Sequence, residues 1–98
     1  MTTPYTKEEV REMFLDHIRC LVKYWDQVDT KNTEEKLDGL AFSMLNIFDG
    51  STIPFPAFDI VAKTHPNDKD YCKENNERWF EDGTIINDDV MLHEIFYR

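Results

Sequence analysis

Hydrophobic residues recur at steps of three and four through the first part of the chain: Val10, Phe14, Ile18, Leu21, Val22, Trp25 and Val28. At 3.6 residues per turn these positions fall on one stripe, so the spacing predicts an amphipathic helix over residues 7–28. Its start is marked chemically as well. Thr6-Lys7-Glu8-Glu9 has the Ser/Thr-x-x-Glu form of a capping box, with Tyr5 and Val10 placed as a hydrophobic staple would place them. No Gly or Pro interrupts the stripe.

A polar connection over residues 29–33 follows, and Asn32 or Thr33 is positioned to cap a second helix. Glu34 and Glu35 in its first turn suit the positive end of the helix dipole. Leu37, Leu40, Ala41, Met44 and Phe48 form its stripe, and Gly50 is a natural stop. Gly39 and Ser43, four apart, offer a shallow place for a neighbouring element to approach. A connection this short makes the two helices antiparallel neighbours, an αα-hairpin.

Beyond residue 50 the pattern changes. Pro54 and Pro56 bracket Phe55 and exclude helix there. Residues 57–62 are rich in β-branched and aromatic side chains and read as a short strand or extended segment, and Thr84-Ile85-Ile86 is a candidate second short strand. Thr64 to Asp68 forms a turn that opens a third, polar helix over residues 67–76. Asp82-Gly83 is a turn signal, and Val90 to Tyr97 fits either helix or extended chain. The expected fold is therefore α+β and mainly helical. An N-terminal hairpin packs on a C-terminal half with short strands and one or two short helices, as one domain over 1–98.

Composition supports a folded chain. At 98 residues with 41% hydrophobic and 13% aromatic content, one core is affordable and disorder is not indicated. No apolar run of about 18 residues is present, and the first residues lack a basic-then-apolar leader, so no membrane span or signal peptide is expected. Cys20 and Cys72 stand apart without the density of a secreted disulfide framework, which points to free thiols and a cytoplasmic setting.

Charge sharpens the picture. Eleven basic residues against twenty acidic ones leave a net −9, which repels nucleic acid and anionic membranes and attracts a basic surface. Acidity serving only solubility is the plain alternative. Residues 64–94 carry nine carboxylates against three basic side chains, interleaved with Tyr71, Trp79, Phe80 and Met91. Asp68, Asp70, Glu74, Glu77, Trp79, Glu81, Asp82, Asp88 and Asp89 are accordingly the candidate partner-binding residues, since aromatics supply binding energy and charge supplies steering. Carboxylates on a rigid surface also imitate nucleic-acid phosphates. An ordinary solvated surface accounts for the same residues equally well.

Catalytic patterns are missing. Gly39, Gly50 and Gly83 write neither a phosphate loop nor a dinucleotide fingerprint, and no nucleophile elbow occurs. His17 and Cys20 lie three apart on the first helix beside Met13 and Tyr24, but no zinc-type ligand pair accompanies them. Asp68-Lys69-Asp70 begins like a calcium loop, yet Lys73 stands where that loop needs Gly. Neither metal, cofactor nor enzyme activity is expected. The second face of helix one, Met13, His17, Cys20 and Tyr24, is either core or a partner surface, a homodimer included.

Four stretches carry a resemblance: residues 37–50, Pro56-Ala57-Phe58-Asp59, His65-Pro66-Asn67-Asp68-Lys69 and residues 92–97. They resemble small acidic proteins of phages, prophages and mobile elements, a group that includes anti-CRISPR proteins. That resemblance implies a non-enzymatic inhibitor that blocks a basic, nucleic-acid-binding host protein, and it carries over no functional residues. Two alternatives stay open, an immunity-type protein that neutralises a toxin nuclease and a small metal- or ligand-binding domain.

Overall fold

The computed structural model describes residues 3–97 and holds four helices among them: α1 (Lys7–Gln27), α2 (Thr33–Phe48), α3 (Asp68–Glu74) and α4 (Leu92–Ile95). The chain divides into two compact units, Met1–Met44 and Leu45–Arg98.

The first unit follows the hydrophobic pattern closely. Thr6 caps α1 through the expected box: its Oγ1 accepts from the Glu9 N–H at 3.1 Å, and the Glu9 carboxylate accepts from the Thr6 N–H at 2.9 Å. Asn32 repeats the device at α2. Its Oδ1 accepts from the Glu35 N–H at 2.9 Å while Glu35 accepts from the Asn32 N–H at 3.0 Å. Asn32 rather than Thr33 is thus the cap. Tyr5, the expected staple partner, is 69% exposed. Packing of α1 on α2 centres on Trp25. A Cβ at Gly39 would sit 2.4 Å from the indole ring, so glycine is what lets the ring lie against the α2 backbone. The indole N–H donates to Ser43 Oγ at 3.1 Å, one turn further along.

The second unit begins within the last turn of α2, which ends as a Schellman motif. Gly50 takes φ +78°, its N–H bonds the Ile47 carbonyl at 3.1 Å, and the Ser51 N–H bonds the Asn46 carbonyl at 2.9 Å. Helix α3 closes in the same way around Asn76 at φ 55°, with the Glu77 N–H bonded to the Cys72 carbonyl at 2.8 Å. The buried hydrophobic residues, Ile47 and Phe55, both belong to this unit, and Phe55 meets Phe58 with ring centres 6.2 Å apart.

The expected α+β class is not what forms. The described residues contain no sheet, only an isolated antiparallel bridge between Val61 and Ile85. Residues 57–62 and 84–86 do approach one another. The Ala62 N–H bonds the Thr84 carbonyl at 2.8 Å, the Gly83 N–H bonds the Ala62 carbonyl at 2.7 Å, and the Ile86 N–H bonds the Ile60 carbonyl at 3.0 Å. The ladder then stops because side chains take over at both ends. The Asn87 amide accepts from the Ile60 N–H and donates to the Phe58 carbonyl, each at 2.8 Å, and Asp82 Oδ1 accepts from the Thr64 N–H at 2.9 Å. These groups satisfy the backbone without extending strands. The protein is mainly helical, with the hairpin as expected and paired extended segments in place of strands. The open choice at residues 90–97 resolves as one helical turn, α4.

Candidate functional site

Asp49 organises the end of the second unit. It follows α2 directly, and its side chain is 1% exposed. Oδ1 accepts from the Leu92 N–H at 2.9 Å and Oδ2 from the His93 N–H at 2.8 Å, so one carboxylate caps the first turn of α4 from 43 and 44 residues away. The His93 ring adds a third contact, Nδ1 to Oδ2 at 2.6 Å. A carboxylate only accepts, so Nδ1 carries the proton in this pair. Burial pushes the Asp49 carboxyl up, but the His93 and Leu92 N–H groups and the His93 ring together outweigh it, and the carboxyl ends below its ordinary value.

Beside this joint lies an open hollow of about 560 Å³. Phe48, Phe58, Val90, Met91 and Ile95 supply apolar lining, and Asp59, Asp88, Asp89 and Glu94 supply exposed carboxylates alongside Asp49. Among the described residues that line it there is no Lys or Arg. The segments that deliver these groups are fixed by the contacts already described. The Asn87 amide, bonded to Phe58 and Ile60, ties the 87–89 segment to residues 58–60, and Asp49 ties α4 to the end of α2.

The nine expected partner-binding residues, all exposed, therefore divide. Asp88 and Asp89 meet at the hollow. Trp79 and Glu81 join a different cluster: the indole N–H donates to Glu81 at 2.9 Å, Lys69 pairs with the same carboxylate at 3.1 Å, and Lys69 and Lys73 stand 5.6 and 5.3 Å from the Trp79 ring centre. The indole N–H and then Lys69 hold the Glu81 carboxyl below its ordinary value. Asp82 spends one oxygen on the Thr64 backbone. Asp68, Asp70 and Glu74 lie on α3, and Glu77 follows it. Phe80, next to the Trp79 cluster, is 81% exposed.

Asp59 and Glu94 were not among the expected residues, and neither was the Asp49–His93 pair. No short-range signal marks Asp59, Asp49 or His93, whereas Glu94 is one of the nine carboxylates in the acidic stretch 64–94. Asp59 sits in what reads as a strand, and Asp49 reads as the residue before a stop glycine. On α1, Cys20 is exposed and His17 half-buried, and both cysteines are free thiols. Among the described residues no group of three or more His, Cys, Asp or Glu side chains is arranged to hold a metal ion, and no helix is long and apolar enough to cross a membrane.

Comparison with protein-family models, with curated proteins and with solved structures returns no match to this chain.

Proposed function

We propose that the protein is a non-enzymatic binding module of the cytoplasm whose second unit engages a basic surface of a nucleic-acid-binding protein, and that it acts there as an inhibitor. The observation that carries this reading is the hollow: four exposed carboxylates, Asp59, Asp88, Asp89 and Glu94, around apolar side chains, with no Lys or Arg among the described residues of the lining. Such a surface attracts Arg and Lys over the distance of the Debye length and then buries their aliphatic stems against Val90, Met91 and Ile95. Carboxylates grouped on one surface compete with phosphate for the same basic site, so occupation of that site blocks nucleic acid. The resemblance to acidic proteins of phages and mobile elements agrees with this role.

Capture from a bacterial lysate on the immobilised protein tests the reading. The expected result is retention of basic nucleic-acid-binding proteins that are released by about 0.5 M salt and displaced by duplex DNA. Asp88→Asn with Asp89→Asn should remove most of that retention. A retained set that ignores both salt and DNA overturns the proposal.

A further inference from the structure

The second unit carries another surface patch, and its sign is opposite to that of the acidic hollow. Polar side chains fix Trp79 in place there. Its indole N–H donates to Glu81 at 2.9 Å, and the Lys69 and Lys73 ammonium groups stand 5.6 and 5.3 Å from its ring centre. Two shallow hollows of about 390 and 380 Å³ lie against the ring, and Arg78 borders both. Glu81 closes the first, and Phe80, 81% exposed, closes the second. The patch stands apart from the acidic hollow. Chain pairing runs from Phe58 and Asn87 beside that hollow to Thr64 and Asp82 near Trp79, and residues 58–64 span about 20 Å as extended chain.

Three cations, Lys69, Lys73 and Arg78, meet in this patch. Among the described residues only Lys69 of the three has a carboxylate within ion-pair distance, Glu81 at 3.1 Å. The carboxylates of α3 do not share the face that carries the lysines. At roughly 100° per residue, Lys69 and Lys73 lie about 40° apart, whereas Asp68 and Glu74 stand about 120° from their midpoint and Asp70 about 80°. A chain of net −9 thus holds a local excess of positive charge beside two exposed aromatic rings.

We infer that Arg78, Trp79 and Phe80 form a second binding site, which takes an acidic segment of a protein partner with an apolar side chain beside its carboxylates. Charge complementarity selects the carboxylates: Arg78 offers a two-point contact and Lys73 a single charge. The apolar side chain covers Phe80 and the exposed part of Trp79. Arg and Trp are the residues in which binding energy concentrates at protein interfaces. Because the indole is already held at its N–H and its ring, binding orders little beyond Arg78 and Phe80. Nucleic acid suits the patch less well. Its phosphates bring a negative charge at every nucleotide against a chain of net −9, whereas a peptide needs only one or two carboxylates. The site lies outside the acidic hollow and stands whether or not that hollow takes a basic surface.

An NMR titration of the ¹⁵N-labelled full chain tests it, because the chain has only two indole N–H groups, Trp25 in the first unit and Trp79 in the second. The probe is an acidic peptide of about ten residues with Phe among its Asp and Glu. The Trp79 indole signal is expected to shift to saturation together with the amides of residues 78–80, while the Trp25 signal stays still. The shift should shrink at about 0.5 M salt. Arg78→Gln with Lys73→Gln should weaken binding by about tenfold or more. Phe80→Ser should weaken it as much and leave its salt dependence unchanged. These substitutions replace exposed side chains, so far-UV circular dichroism should not change. A Trp79 signal that does not move at millimolar peptide overturns the inference. So does peptide binding that ignores both variants. A single-stranded oligonucleotide that binds at Trp79 more tightly than the peptide also overturns it, since the site then reads phosphates.

Discussion

The two units are held together by different kinds of interaction. In Met1–Met44, two long helices satisfy their own backbones, and the side chains add caps at Thr6 and Asn32 and one packing joint at Trp25. In Leu45–Arg98, long irregular stretches leave backbone groups that helices would have satisfied, and polar side chains take them up, Asp49, Asp82 and Asn87 across the longest sequence separations. Regular structure spreads stability over many similar bonds, whereas the second unit concentrates it in a few groups that bridge distant parts of the chain. The exposed carboxylates of the hollow are positioned by two of those groups, so the proposed binding surface depends on the least regular part of the chain.

This difference predicts unequal responses to mutation. Asp49→Ala should have the largest effect, since it strands two N–H groups and the His93 ring in a part-buried setting, at a cost of about 3 kcal/mol in urea unfolding. Residues 91–97 should then lose hydrogen-exchange protection while α1 keeps it. The same carboxylate sets an acid limit. Its pKa in the folded state lies below the unfolded value, so its contribution is full above the ordinary carboxylate range and is lost as pH falls through the folded value. Asp49→Asn should flatten that acid limb of stability, and an unchanged limb would assign it to other groups.

Gly39→Ala comes next and probes the first unit. In an open helix the change would add up to about 1 kcal/mol of stability. Here the new methyl group meets a ring anchored to Ser43, and a net loss of about 2 kcal/mol is expected from overpacking. A stabilised variant would mean that Trp25 does not hold the close approach. Asn87→Ala should cost about 1–2 kcal/mol, because the Ile60 N–H and the Phe58 carbonyl lose their partner. Its exchange signature should be confined to residues 58–62 and 84–89. A loss spread into α1 would erase the contrast between the units.

The same contrast explains what the sequence makes legible. Helix rules are local, so Thr6 with Glu9 and Asn32 with Glu35 are written within a few residues of one another, and Gly39 with Ser43 marks on its own helix where a neighbour can approach, though not that the neighbour is Trp25. Gly50 announces its stop for the same reason. The second unit is written at long range: Asn87 reaches back 27 and 29 residues, and Asp49 reaches forward 43 and 44. Nothing in the neighbourhood of either residue foretells its partner. The β-branched run at 57–62 indicates an extended segment correctly but not a strand, because Asn87 and Asp82 finish the ladder that a backbone would have continued. Counting charge likewise locates acidity in residues 64–94, but not its division between the Trp79 cluster, where lysines answer it, and the hollow, where no Lys or Arg among the described residues lines it.

That division makes the central claim measurable. An NMR titration of the uniformly ¹⁵N-labelled protein with an arginine-rich peptide of about ten residues, at low and high salt, follows every backbone amide at once. The account predicts shifts clustered at residues 57–59 and 87–95, suppressed by salt, with the amides of α1 unmoved and those around Trp79 and Glu81 changing little. Shifts centred on α3 and the Trp79 cluster, or no salt-sensitive shifts at the hollow, would contradict it.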